Sequence, residues 1–60
     1  MKLIDERATS EMTDLKVQTL RNHRAKGVGL PYVKLGRAIR YSLDDIQRYI
    51  EAHRVQTDPA

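Results

Sequence analysis

The stretch LPYVKLGRAIRYS, residues 30–42, predicts a β-hairpin, because strand-forming side chains stand on both sides of a Gly36-Arg37 tip. Side chains alternate between the two faces of a strand, so the length of the loop decides which residues share a face. We predict a three-residue loop, residues 36–38, since it would place four apolar side chains on a single face: Val33, Leu35, Ile39 and Tyr41.

That register has an electrostatic consequence on the opposite face of the hairpin. It places Lys34 directly across from Arg40, and like charges that face each other across a strand pair are destabilising. A polyanion lying across this face would relieve the repulsion. The pair therefore favours an anionic partner, and removing both charges should lower affinity for that partner.

The distribution of charge points the same way. The chain has 60 residues, no cysteine and a net charge of +3. Between Lys16 and Tyr41 it contains no acidic residue and seven basic ones: Lys16, Arg21, Arg24, Lys26, Lys34, Arg37 and Arg40. A solvated basic face is the ordinary interpretation of such a cluster, but the clustering together with the hairpin favours nucleic acid.

Two helices precede the hairpin. Ile4, Ala8 and Met12 recur at the spacing of one helix face, with Asp5 as the predicted N-cap. A second helix, residues 16–26, carries Val17 and Leu20 inward and Gln18, Thr19, Asn22 and Lys26 outward, and it ends at Gly27. Only residues 13–15 separate the two helices, which is typical of a helix-turn-helix.

A third helix follows the hairpin, with Ser42 as N-cap and Asp45 at the third helical position. The predicted fold is mainly α with a small β-hairpin, a winged helix-turn-helix in the order helix-turn-helix-wing-helix. It occupies residues 1–54 as one domain, and residues 55–60 form a frayed tail. The predicted core is a set of apolar side chains from every element: Ile4, Ala8, Met12, Leu15, Val17, Leu20, Val28, Val33, Leu35, Ile39, Tyr41, Leu43, Ile46 and Ile50.

Several classes of function are excluded at this point. The apolar runs are too short to span a membrane, and the N-terminus lacks the apolar region of a signal peptide, so we expect a cytoplasmic protein. His23 and His53 have no carboxylate or cysteine at metal spacing and are read as packing or partly exposed residues. No nucleophile, phosphate-cradling loop or cofactor signature is present, and we expect no enzyme, no cofactor and no metal.

Three segments carry a resemblance to a known family: residues 11–20, 31–41 and 44–46, read as EMTDLKVQTL, PYVKLGRAIRY and DDI. They resemble the small excisionase-like, AlpA-type regulators of phages and integrated elements, which are related to the winged-helix domain of MerR regulators. The resemblance spans roughly residues 3–53. It implies double-stranded DNA as partner, with the second helix in the major groove and the wing on the adjacent backbone or minor groove.

The resemblance also implies a biological role. Many such proteins are excisionases (recombination directionality factors), which bind repeated sites near an attachment site, bend the DNA and assist a site-specific integrase. Cooperative self-association on DNA is expected with this role. Others regulate transcription of the integrase or nearby genes, and this alternative stays open.

Three positions depart from the family pattern: Asp14 replaces a usual glycine, Lys16 a serine or threonine cap, and His23 a common aromatic. We expect Asp14 to cap the second helix two residues early, which would free Lys16 to reach a phosphate.

The exposed face of the second helix provides the base-reading candidates. Gln and Asn can bond adenine bidentately, and Thr can bond a base or pack on a thymine methyl. We therefore assign base reading to Gln18, Thr19 and Asn22, with Arg21 as a further base reader or a phosphate contact. An ordinary polar helix face is the alternative.

The remaining basic residues are assigned to the DNA backbone: Lys16, Lys26, Lys34 and Arg40. Arg37, at the wing apex, is the candidate for a narrow minor groove, with a solvated turn residue as its alternative. For Arg24, which faces partly inward, a structural salt bridge competes with a DNA role.

A second class of function is a protein-interaction adapter. Its surface would be the acidic outer parts of the domain: Asp5, Glu6, Glu11, Asp44, Asp45 and Glu51.

Overall fold

A computed structural model describes residues 2–55 of the chain. Its elements, in chain order, are β1 (Leu3–Ile4), α1 (Glu6–Thr13), α2 (Val17–Lys26), β2 (Val33–Leu35), β3 (Ala38–Ser42) and α3 (Leu43–Ala52). The fold is a winged helix-turn-helix, as the sequence predicts. All but the first residue of the predicted tail, residues 55–60, lies outside the described residues.

The ends of the helices follow the local signals in the sequence. The carboxylate of Asp5 accepts a hydrogen bond from the backbone N–H of Ala8 at 2.8 Å and caps α1. The Ser42 hydroxyl accepts from the backbone N–H of Asp45 at 3.4 Å and caps α3. Gly27 ends α2 with a φ of 70°, a conformation that glycine adopts without steric cost. These three predicted helix ends are confirmed.

A short strand that the sequence analysis did not predict opens the fold. Leu3 and Ile4 form β1, which pairs antiparallel with β3 so that Ile4 lies opposite Tyr41. The sheet therefore has three strands in the order β1-β3-β2. Ile4 was expected on the first helix, but that helix begins only after its cap at Asp5.

The hairpin has a different register from the predicted one. Leu35 pairs with Ala38, so the loop contains two residues, Gly36 and Arg37, and not three. Gly36 has a φ of 63°, whereas Asp14 is the only non-glycine residue of the described chain with a positive φ. A positive φ at the first central position alone is the pattern of a type II′ turn, whose twist matches that of the strands it joins.

This register overturns the prediction of a single apolar face. Ile39 lies on the core side with Tyr41, while Val33 and Leu35 lie on the other side, and Leu35 is 55% exposed. It also overturns the expected charge repulsion, because Lys34 pairs with Ile39 and Arg40 with Val33. Lys34 and Arg40 therefore point to opposite faces of the hairpin, and the prediction that they face each other is wrong.

The core lies where the two helices of the helix-turn-helix meet the C-terminal end of β3 and α3. Its buried apolar side chains are Leu20, Leu30, Tyr41 and Ile46. Partly buried side chains pack against them: Ile4, Leu15, Ile39, Leu43 and Tyr49. Leu30 was not predicted as a core residue, and four predicted ones are exposed: Met12, Val28, Leu35 and Ile50.

Candidate nucleic-acid interface

The outward face of α2 presents two amide side chains one helical turn apart. Gln18 and Asn22 are both exposed, and the Gln18 Nε2 donates a hydrogen bond to the Asn22 Oδ1 at 3.0 Å. Residues four apart lie one above the other on a helix, which explains why these two meet. Thr19, the third predicted base reader, is half-buried on the flank of this face. The structure thus brings Gln18 and Asn22 together and leaves Thr19 at the margin.

Arg21 lies on the other flank of α2 and is held by a carboxylate of α1. Its Nη2 lies 2.7 Å from Oε1 of Glu6, and its Nε donates to the same oxygen at 3.2 Å. The Arg21 side chain is nevertheless 55% exposed. Arg21 therefore presents part of its guanidinium to solvent while Glu6 fixes one edge.

Arg24, one turn further along α2, is the more buried partner of the same carboxylate. Its Nη2 donates to Oε2 of Glu6 at 3.1 Å and its Nη1 to the Tyr41 hydroxyl at 2.7 Å, with only 16% of the side chain exposed. The guanidinium carbon also lies 5.9 Å from the centre of the Tyr32 ring, within cation–π range. The structural salt bridge considered for Arg24 is confirmed.

The two arginines favour the charged form of the Glu6 carboxyl. Hydrogen bonding from Arg21 lowers the pKa of the Glu6 carboxyl, burial opposes that shift, and Arg24 adds to the lowering. The same hydrogen bond raises the pKa of Arg21. One carboxylate is thus shared by two guanidinium groups, and the three together retain one positive charge.

The ends of α2 carry lysines that are free to extend from the helix. Lys16 is the N-cap residue but its side chain makes no capping hydrogen bond with the described residues, and Lys26 is exposed in the last turn. The expected cap from Asp14 is wrong. Asp14 instead ends α1 with a φ of 59°, a left-handed conformation that explains why a glycine would also suit this position.

The wing presents its cations in different directions. Arg37 is exposed in the turn and Lys34 is exposed on β2. Arg40 is half-buried, and its Nη1 donates to the backbone carbonyl of Ile39 at 2.8 Å.

Arginines from α2 and from the wing meet at one place. A cavity of about 310 Å³ lies between the start of α1, α2 and the wing. Its charged lining consists of Asp5, Glu6, Arg21, Arg24, Arg37 and Arg40. We call it the arginine cavity.

A family model described as a helix-turn-helix domain matches residues 7–54 of the chain. The chain belongs to this helix-turn-helix family. The match spans both helices of the helix-turn-helix, the wing and α3, and membership implies DNA binding. No curated protein and no solved structure matches the sequence.

The described part of this helix-turn-helix domain contains neither a candidate metal site nor a helix that could span a membrane. Among residues 2–55, no three His, Cys, Asp or Glu side chains are grouped so that they could hold a metal ion. None of the helices in this range is both long and apolar enough to cross a membrane. Domains of this family are typically not enzymes.

Sequence reasoning missed the part that Glu6 plays at this interface. It was grouped with the acidic outer surface, whereas it lies against two arginines of α2. The partners are 15 and 18 residues away in sequence, so no helical or strand periodicity connects them. The inward tilt of Arg24 was the one available signal that a carboxylate had to lie nearby.

Proposed function

We propose that this helix-turn-helix protein binds double-stranded DNA sequence-specifically and acts as an excisionase of a phage or integrative element. On this proposal α2 enters the major groove and the wing contacts the adjacent backbone. Several copies bind repeated sites near the attachment site, bend the DNA and assist a site-specific integrase.

The observation that carries sequence-specific binding is the Gln18–Asn22 pair on the exposed face of α2. Both side chains have the donor and acceptor geometry that reads adenine in the major groove. Their mutual hydrogen bond holds them on one line of the helix before DNA arrives. On binding, that bond is exchanged for bonds to base edges, so little side-chain order has to be created at that moment.

The surroundings of this pair supply the affinity. Lys16 and Lys26 stand at the two ends of α2, and Lys34 and Arg37 are exposed on the wing. No acid occurs between residues 16 and 41. We expect about 4–6 phosphate contacts, which correspond to a log–log salt slope of roughly −4 to −5.

The excisionase role rests on the family resemblance and on size. A single domain of this kind buries a small interface and makes few contacts, so cooperative binding to repeated sites is the expected route to occupancy. The alternative, an AlpA-type transcriptional regulator of the integrase or nearby genes, would use the same DNA surface.

The adapter function has less support, because much of the acidic surface has partners within the chain. Asp5 caps α1, Glu6 binds two arginines, Asp45 lies 3.7 Å from Arg48, and Glu51 lies 3.3 Å from Arg54.

The first experiment measures binding to a labelled random duplex of about 25–30 base pairs over a salt series, followed by selection of preferred sites from a random pool. Gln18→Ala should lower affinity for the selected site by about 5- to 100-fold while leaving random-duplex binding nearly unchanged. Gln47→Ala, which removes an exposed glutamine of α3, is the matched control. Equal losses on both duplexes would contradict base reading by Gln18.

A second experiment separates the two biological roles. Deleting the gene from its element should reduce excision frequency, and the selected DNA sites should occur as direct repeats. If the deletion changes transcript levels of neighbouring genes and leaves excision unchanged, the protein is a transcriptional regulator.

A further inference from the structure

The arginine cavity holds more positive than negative charge. Four guanidinium groups and two carboxylates line it, which leaves a net charge of +2. One of the carboxylates, Asp5, already accepts a hydrogen bond from the start of α1. The carboxylates of the cavity therefore do not balance the charge of its arginines.

Its arginines differ in how fully they are used. Both terminal nitrogens of Arg24 donate hydrogen bonds, Nη2 to Glu6 and Nη1 to the Tyr41 hydroxyl, so Arg24 forms part of the cavity wall. Arg21 has one edge fixed by Glu6 and is still 55% exposed. Arg40 donates through Nη1 to the Ile39 carbonyl and retains its other donors.

The position of Arg21 on α2 separates it from the base-reading line. At 3.6 residues per turn, it is rotated by about 80° from the direction that Gln18 and Asn22 share. When a helix lies in the major groove with that line toward the bases, side chains on its flank meet the sugar-phosphate backbone.

We infer that the arginine cavity binds one phosphodiester group of the DNA backbone between Arg21 of α2 and Arg40 of the wing. Glu6 is the positioning residue that holds Arg21 at the cavity. The inference rests on the proposed DNA binding and, of the two roles predicted for Arg21, favours the phosphate contact over base reading. Guanidinium groups bind phosphate bidentately. One phosphate bound by both Arg21 and Arg40 would therefore fix the angle between α2 and the wing on DNA.

Salt dependence tests whether the two arginines share a phosphate. The slope counts neutralised phosphates at about 0.9 for each one. With a shared phosphate, Arg21→Ala and Arg40→Ala each weaken random-duplex binding but change the slope by much less than 0.9, and the double variant changes it by about 0.9. With separate phosphates, each single variant changes it by about 0.9 and the double variant by about 1.8, which would overturn the inference.

Controls keep this result specific to the cavity. Arg48→Ala removes a cation of α3 that is 80% exposed and lines no part of this cavity, and its slope should match the wild type. Thermal melting by circular dichroism confirms that each variant is folded. If Arg40→Ala does not fold, Arg40→Gln keeps a donor for the Ile39 carbonyl and replaces it in the series.

Failure of this inference is distinguishable from failure of the proposed function. If the wild type does not bind the random duplex at low salt, both are wrong. If it binds but the slopes add, or if Arg21→Ala lowers affinity only for the selected site, DNA binding stands and the shared phosphate is overturned.

Discussion

The two ends of β3 belong to two physically different regions. At its C-terminal end, Tyr41 and Ser42 are each 1% exposed, and Tyr41 pairs with Ile4 of β1. At its N-terminal end, Ala38 pairs with Leu35 of β2, which is 55% exposed. One end of a five-residue strand is in the core, and the other is part of a wing that extends from it.

The two ends of β3 are held in place by different interactions. The buried end is held by packing, where each side chain lost leaves a cavity. The wing end is held by backbone pairing and a two-residue turn, and its side chains contribute little burial. Truncating a side chain of the wing should therefore cost little stability, whereas truncating a buried side chain at the other end should cost much more.

The largest expected effect on stability comes from removing the buried aromatic side chain at the C-terminal end of β3. Tyr41→Ala should destabilise the protein by about 3–5 kcal/mol, because it removes a buried aromatic ring and the acceptor of the Arg24 hydrogen bond. For a domain of this size that is comparable with the whole free energy of unfolding. Leu35→Ala at the wing end should cost less than about 0.5 kcal/mol. Urea unfolding followed by circular dichroism measures both, and similar losses would mean that the wing is as important to stability as the core.

Two glycines extend the same comparison to the backbone. Gly29 and Gly36 both have positive φ, but a Cβ at Gly29 would lie 2.6 Å from Nδ1 and 2.9 Å from Cβ of His23, while one at Gly36 would meet nothing within 4 Å. Gly36→Ala should therefore cost only the strain of about 1–2 kcal/mol, and Gly29→Ala measurably more. Thermal melting of the two variants side by side gives the ranking. A Gly36 variant that is the less stable of the two would contradict the clash with His23.

A smaller effect is expected from the polar contact at the edge of the core. Tyr41→Phe keeps the ring and removes the hydroxyl that accepts from Arg24 at 2.7 Å. We expect a loss of about 1 kcal/mol, since Arg24 is largely buried and keeps its bond to Glu6. Tyr32→Phe, on a residue that is 43% exposed, is the matched control and should be near neutral in urea unfolding.

The smallest effect is the pH dependence of the Glu6 pairs. Because Arg21 and then Arg24 lower the folded-state pKa of Glu6, its contribution is present above the unfolded value of about 4.3 and is lost as pH falls below it toward the folded pKa. The wild type should lose up to about 1 kcal/mol more stability than Glu6→Gln over this acid range. Glu11→Gln, an exposed carboxylate of the same helix, should keep the wild-type profile. Parallel profiles for the wild type and Glu6→Gln would show that the pairs add no stability.

The hairpin illustrates how far sequence patterns reach. The alternation of residues 33–41 was sufficient to predict two strands and a turn at Gly36, but not the loop length. Placing all apolar side chains on one face requires a three-residue loop, whereas the observed loop has two residues. The fold instead exposes Leu35, because the wing projects beyond the core and has no apolar layer to cover its outer face.

The candidate DNA-binding site, like the hairpin, could be predicted from the sequence only in part. The Gln18 and Asn22 face of α2 followed from helix periodicity, and the cations of α2 and the wing followed from the charge distribution. The convergence of Arg21 and Arg40 on one cavity did not, because it depends on the angle between α2 and the wing.

The sequence by itself determined the helix ends at Asp5, Gly27 and Ser42 and the polar face of α2, because caps and helix faces depend on residues within about four positions of one another. It also determined that every Lys, Arg, Asp or Glu position from α2 to the wing is a basic residue. Only the tertiary structure decided the pairing of Ile4 with Tyr41, the hairpin register and the sharing of Glu6 between two arginines. These contacts join surfaces far apart in sequence, and which surfaces meet depends on how the whole chain packs.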